Sequence, residues 1–307
     1  MPPPSKKAKM VRSNNAPAVQ SDILSYPDEG EYNEPPSHFS NYLRCFFGSK
    51  GSGKTTLVSQ FPKHLTLMFE PRRRNLRIRQ VNLQKHTAKE IMEGATDTWN
   101  LIKNTTQLWI DDKSIDGLNF DSVDLAYECC YHSICASHEV QSPAGAGKGG
   151  SDIWIEIRDE WASYFDALAA TEMGINFVSH MKLRESEELD GSKYAKRSPS
   201  CAPACLQYIK QAVDFVFFYG KLNGKRVIQV RDDTGDAEVA SGVEGTFLDP
   251  NGKPITYLEM PPLGSDISGY QRLCDAFDNK CWDAFAEPEE EAPKKKAGPP
   301  RKGPPKK

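Results

Sequence analysis

The run Gly48-Ser49-Lys50-Gly51-Ser52-Gly53-Lys54-Thr55 constrains this chain more than any other feature, because it satisfies G-x-x-x-x-G-K-[ST] in full. Before it, Tyr42, Leu43, Cys45, Phe46 and Phe47 read as a buried strand; after it, Leu57, Val58 and Phe61 recur at helical spacing until Pro62. Glycines between a strand and a helix let successive N–H groups curl inward. The helix start adds its positive end, and the result is a cradle for phosphate oxygens. The pattern predicts that Gly48, Ser49, Lys50, Gly51, Ser52, Gly53, Lys54, Thr55 and Thr56 surround the phosphates of a nucleotide. Lys54 would reach the β- and γ-phosphates and Thr55 would offer its hydroxyl to Mg²⁺, making ATP and magnesium the expected ligands. Nucleotide binding follows from the motif; the reaction does not.

The rest of the chain alternates strands and helices. Leu65 to Phe69 reads as a second strand, Leu125 to Ser137 as a helix, and Gly145 to Gly150 as a flexible loop. Ile153, Ile157, Trp161, Phe165 and Leu168 mark a long amphipathic helix, and Ile175 to Val178 a short buried strand. A polar loop is expected from Lys182 to about Pro203. Val213 to Tyr219 and Arg226 to Arg231 then flank the hairpin turn Asn223-Gly224. Residues 266–285 suit one terminal helix. The expectation is an α/β fold: a mostly parallel sheet flanked by helices, with a late antiparallel hairpin.

Hydrolysis would need a second carboxylate at the end of a neighbouring strand and a base for the attacking water. Asp111 or Asp112, after Leu108-Trp109-Ile110, and Asp121, after Leu118-Asn119-Phe120, are both candidates for the first. Each could equally be a helix cap or a surface acid.

The run Phe120-Asp121-Ser122-Val123-Asp124-Leu125-Ala126-Tyr127 resembles the second nucleotide motif of RecA-like ATPases, in particular a phage-borne group that includes minimal RecA-like single-strand annealing recombinases. Phe61-Pro62-Lys63, the strand ending at Glu70, and Val178-Ser179-His180 resemble further marks of that group, over roughly residues 40 to 240. The resemblance implies a RecA-like P-loop NTPase core. It makes Asp121 the metal-associated carboxylate with Thr55, leaving Asp111 as the fallback. It also makes Glu70 the glutamate that activates water, and His180 the sensor of the γ-phosphate. The departure from the group's pattern is Asp116, Gly117 and Asn119, where it prefers a continuous apolar run. Catalysis would thus rest on Lys54, Glu70, Asp121 and His180, in an ATPase acting on single-stranded DNA in recombination or annealing. A homo-oligomer is implied, with a single-strand-binding protein as a further partner and no membrane.

Basic residues add candidates for the DNA contact. Arg72, Arg73, Arg74, Arg77 and Arg79 put five guanidinium groups in eight residues, a density that an anion or a solvated face would relieve. The segment 182–203 carries Lys182, Arg184, Lys193, Lys196 and Arg197 with Tyr194 among them, a mixture suited to single strands, although Glu185, Glu187, Glu188 and Asp190 oppose a simple phosphate funnel. Lys221, Lys225 and Arg226 flank the hairpin turn and could serve a neighbouring subunit's site. Cys129, His132, Cys135 and His138 invite a zinc reading, which helical geometry opposes: three-residue steps sweep the four side chains across roughly 180°. Adding Cys201 and Cys205 does little to rescue it.

Charge is distributed unevenly. The net charge is −3, yet residues 1–20 and 288–307 each carry +4, so an acidic body of −11 wears two basic, Pro-rich tails. Residues 1–38 and 288–307 are expected to be disordered, 39–262 to form the ATPase domain and 263–287 a C-terminal helix. No apolar run approaches the roughly 20 residues of a membrane span, no secretory signal opens the chain, and the eight cysteines read as reduced thiols. A cytoplasmic protein is expected, in a host cytoplasm if phage-encoded. Two rivals remain: a P-loop kinase of a nucleotide or other small molecule, and a switch module that binds nucleotide without hydrolysing it. A ring-forming AAA+ motor is disfavoured because the Gly/Pro-rich segment after Arg231 offers no helical lid.

Overall fold

Strand β1 (Leu43–Gly48) is buried along its whole length, as a strand must be when helices cover both faces of a parallel sheet. Its side chains alternate between two cores. Cys45 and Phe47 join one, with Leu67, Trp99, Phe120, Trp161, Phe165 and Phe177. Phe46 joins the other, with Phe39, Phe61, Phe215, Phe217, Phe247 and Leu273. The computed structural model describes residues 36–70, 78–83, 97–112, 115–187, 191, 193–233, 235–262 and 264–281. Both basic tails and Arg72, Arg73, Arg74 and Arg77 lie outside them.

The remaining strands are β2 (His64–Met68), β3 (Gln80–Asn82), β4 (Gly117–Asp121), β5 (Gly174–Glu187), β6 (Lys193–Pro199), β7 (Phe215–Leu222), β8 (Lys225–Gln229), β9 (Ala240–Ser241) and β10 (Tyr257–Glu259). They form one sheet in the order β10-β8-β7-β1-β5-β4-β2-β3, with β6 on β5 and β9 on β7. Strands β7, β1, β5, β4, β2 and β3 are mutually parallel. The antiparallel pairs are β7–β8, β8–β10, β7–β9 and β5–β6. The described α-helices are α1 (Lys54–Val58), α2 (Thr98–Asp112), α3 (Val123–Ser137), α4 (Gly150–Ala169), α5 (Pro203–Ala212) and α6 (Gly269–Phe277). This is the mixed α/β sheet of a P-loop NTPase core. The Asn223-Gly224 turn is as the sequence indicates, both residues having positive φ (50° and 80°).

Four expectations are corrected. The Gly-rich stretch before α4 is a 3₁₀ helix, Pro143–Gly149, not a loop. The polar segment after Lys182 is not a loop either: β5 continues to Glu187 and returns as β6, pairing Lys182 with Ser198 and Glu187 with Lys193. Its burial alternates with period two beyond His180, and charge on both faces masked that rhythm. Leu108-Trp109-Ile110, taken as the lead-in to Asp111, lies inside α2. The terminal helix is shorter than expected, its Leu273 facing the second core with Phe277 packed against it.

Candidate nucleotide-binding site

The carboxyl ends of the parallel strands converge on one edge, where open α/β sheets hold their ligands. Register places Gly48 beside His180, Asp121 beside Met68, and Asp121 beside Val178. Strand β5 therefore separates the strand that carries the phosphate loop from the strand that carries the acid.

Gly48 admits no side chain: a Cβ there would lie 2.1 Å from the Tyr219 carbonyl oxygen. Gly53 has φ 113°, and a Cβ on it would lie 3.3 Å from the Tyr219 ring. Lys54 is 5% exposed and donates from Nζ to the carbonyls of Gly48 (2.8 Å) and Ser49 (3.0 Å). Thr55 Oγ1 donates to Asp121 Oδ2 at 2.5 Å; Asp121 is 1% exposed. Ser52 Oγ is buried without a hydrogen-bond partner in the loop, an arrangement that native interiors rarely tolerate unless a ligand or solvent completes it. The orphaned hydroxyl and the glycine cradle suit phosphate oxygens. An all-oxygen pair, Thr55 and Asp121, suits a hard cation such as Mg²⁺.

An AAA domain matches residues 40–236, more than half of the chain. The chain belongs to the AAA domain family. A search of curated proteins finds no match. The family match is coarser than the phage RecA-like group that residues 120–127 resemble. It reaches from just before β1 of this AAA domain past β8, and leaves β9, β10 and α6 outside. After Arg231, the described residues form those two short strands and the single helix α6.

Two further residues expected in the AAA domain's site meet each other. Glu70, just past β2, and His180, in β5, are joined by a 2.7 Å hydrogen bond between Oε1 and Nε2. Behind them lies a hub that sequence reasoning missed. Asp124, in the first turn of α3, accepts hydrogen bonds from Ser200 Oγ (2.9 Å) and Ser179 Oγ (3.2 Å), and a long one from the His180 amide (3.4 Å). Ser200 N in turn donates to Ser179 Oγ at 3.1 Å. The hub ties the helix after Asp121 to β5 and to Ser200, the residue that follows β6. An acid in a first helical turn ordinarily reads as a dipole partner, and nothing in the sequence set Asp124 apart from that role.

Asp111 sits elsewhere, exposed near the end of α2, where its carboxylate accepts from Gln107. Being on a helix and not at a strand end, it is removed from the site. The hairpin's basic side chains are all engaged within the chain: Lys182 with the Ser200 and Cys201 carbonyls, Arg184 with Cys201, Lys193 with Glu185, Lys196 with Asp232 and Arg197 with Asp236. Arg79 is exposed, and its carbonyl accepts from Thr66 in the sheet. Cys129 and Cys135 are buried in the first core, whereas His132 and His138 are exposed, His138 on Glu156. Among the described residues no group of three or more His, Cys, Asp or Glu side chains could hold a metal ion. Cys201 and Cys205 are buried beside Cys45, and burial pushes the Cys45 and Cys205 thiols up. No helix among the described residues is long and apolar enough to cross a membrane.

Proposed function

We propose that this AAA domain is a Mg²⁺-dependent ATPase whose turnover responds to single-stranded DNA. What supports hydrolysis is the convergence of Lys54, the Thr55–Asp121 pair and Glu70 on one sheet edge. In this reading Lys54 exchanges two loop carbonyls for β- and γ-phosphate oxygens. Thr55 and Asp121 would hold the metal, which when bound neutralises charge on those phosphates. Glu70 orients a water for in-line attack. The bond from water oxygen to the γ-phosphorus forms as the bond to the bridging oxygen breaks, ADP leaves, and the water's proton passes by way of Glu70 to solvent. His180, bonded to Glu70, positions that carboxylate and reports the γ-phosphate to the β5–β6 hairpin through Ser179, Ser200 and Asp124.

The DNA part is supported by the resemblance to RecA-like recombinases and by the two tails at +4 each. Because most of the hairpin's basic groups already have partners within the chain, the proposal assigns DNA contact first to Arg72, Arg73, Arg74 and the tails, with the segment 182–203 as a further contact. A homo-oligomer, and cooperation with a single-strand-binding protein, belong to the same proposal. The test is ATP turnover with and without single-stranded DNA at low and high salt, in wild type, Lys54→Ala and Glu70→Gln. Stimulation that salt weakens and both substitutions abolish supports it; turnover indifferent to DNA removes the DNA part.

A kinase remains the second reading because a cavity of about 470 Å³ lies against the other side of the loop, with Lys50, Arg197 and Lys221 on its walls. It predicts transfer of labelled γ-phosphate to an added nucleoside monophosphate, where the ATPase predicts release of free phosphate alone.

A further inference from the structure

No residue of α1 lines the cavity of about 470 Å³ that the phosphate loop shares with the β5–β6 and β7–β8 hairpins. The volume falls within the range of sites that enclose a small organic ligand, roughly 300–1,000 Å³. The charge on its walls is one-sided. Lys50, Arg197 and Lys221 line it with a single carboxylate, Asp236, which is already paired with Arg197 at 2.8 Å. Three cations against one acid leave a net charge of +2.

Arg197 is built into its wall. Its amide donates to the Asp236 carbonyl at 2.9 Å, its carbonyl accepts from Glu238 N at 2.8 Å, and its guanidinium carbon lies 4.9 Å from the centre of the Phe218 ring. Lys50 and Lys221 are exposed instead, and make no side-chain hydrogen bond or ion pair among the described residues. Ser52, 7% exposed, lines the same cavity, and its hydroxyl has no hydrogen-bond partner. Two unpaired ammonium groups and a buried orphan hydroxyl therefore border a space whose one carboxylate is taken, which is the donor set of an anion site. None of Glu70, Asp121 and His180 lines it.

We propose that this cavity is a regulatory site for a small organic phosphomonoester, coupled to the triphosphate through the loop that both ligands touch. A phosphomonoester carries close to two negative charges at pH 7, which matches the net charge of the walls; a phosphodiester carries one. Lys50, Lys221 and the Ser52 hydroxyl take the phosphate oxygens, and the rings of Phe218 and Tyr257 give the organic part an apolar wall. With none of the three residues named above within the cavity, a molecule held there has no base to make it a phosphoryl acceptor, and it acts as an effector. Two anions on one loop repel, so each weakens the binding of the other, and linkage requires the same factor in both directions. The inference rests on the phosphate-loop reading.

The test measures the affinity of the full chain for a fluorescent, non-hydrolysable Mg²⁺-ATP analogue as phenyl phosphate is raised at fixed ionic strength, with dimethyl phosphate as the diester control. The apparent Kd should rise about 5-fold and then level off, because both ligands can be bound at once; dimethyl phosphate should leave it within about 2-fold. Lys221→Ala, at an exposed position, should remove most of the rise while the analogue's own Kd stays within about 2-fold. A rise without a plateau means competition for the phosphate loop and overturns the proposal. So do an unchanged Kd, a rise that Lys221→Ala retains, and transfer of labelled γ-phosphate from ATP to phenyl phosphate, which would make the cavity an acceptor site. Failure of the phosphate-loop reading would look different and would take this inference with it: the analogue would not bind the wild-type chain even without phenyl phosphate.

Discussion

Thr55 gives its hydroxyl hydrogen to the Asp121 carboxylate across 66 residues of sequence, from the first turn of α1 to the end of β4. Both groups are buried, so the contact fixes the loop against the strand as well as marking a place for a cation. Thr55→Val would leave the Asp121 carboxylate without that donor and should cost about 1–3 kcal/mol of stability, read by urea denaturation. Asp121→Asn should abolish magnesium-dependent turnover while leaving nucleotide binding in EDTA largely intact. Unchanged turnover in Asp121→Asn would exclude it as the metal's carboxylate.

Glu70 and His180 make the second prediction. Glu70→Gln should lower kcat about 10²- to 10⁴-fold with ATP affinity retained, as seen in single-turnover assays. His180→Gln can still hydrogen-bond Glu70 and should lose less than His180→Ala. If the two histidine variants behave alike, positioning through that bond is not what His180 does.

Asp124 supports a third. Asp124→Ala removes the half-buried acceptor of the Ser200 hydroxyl and one acceptor of the Ser179 hydroxyl, which keeps the His180 carbonyl, and should destabilise the chain by about 1–3 kcal/mol. Asp124→Asn keeps an acceptor and should recover most of that loss. The proposed coupling adds a readout that stability alone would not move: in Asp124→Asn, any stimulation by DNA should fall more than basal turnover.

The loop, the strand before it, the helix–strand alternation and the hairpin at Asn223-Gly224 were all legible in the sequence, because each has a local signature in spacing or in backbone demand. Asp121 stood among the sequence's candidate carboxylates, but only the resemblance favoured it over Asp111, its strand being interrupted by Gly117 and Asn119. The fold explains both interruptions. A Cβ at Gly117 would lie 2.3 Å from His64 Cε1, and Asn119 is buried with its amide donating to the Val58 carbonyl and Thr66 and its oxygen accepting from Asn176. Such cross-strand pairings leave no periodic trace. The extension of β5 was hidden for a related reason: its pairing with β6 is read only from the fold, while the composition of the segment reads as loop.

The same buried network predicts a pH dependence. His64 lies beside Asn119, and burial, with Arg44 nearby, lowers its pKa from 6.5 to about 3. Below about pH 6.5 the unfolded chain takes up a proton that the folded chain refuses. Stability from this residue is therefore complete above that pH and falls as pH drops toward 3, by at most about 1.4 kcal/mol per unit. His64→Gln should flatten the decline of the urea midpoint between pH 7 and pH 5. Parallel declines in the two proteins would show that His64 is not its source.

The central claim is that residues 48–55 hold a triphosphate. Equilibrium binding of labelled ATP to the full chain, with Mg²⁺ and with EDTA, in wild type and Lys54→Ala, tests it most directly. The expected result is saturable, magnesium-strengthened binding that Lys54→Ala weakens at least about 10-fold without shifting the melting temperature downward, since a fold intact in both proteins isolates the phosphate contact. Absence of binding by the wild type, or identical binding by the variant, would contradict it.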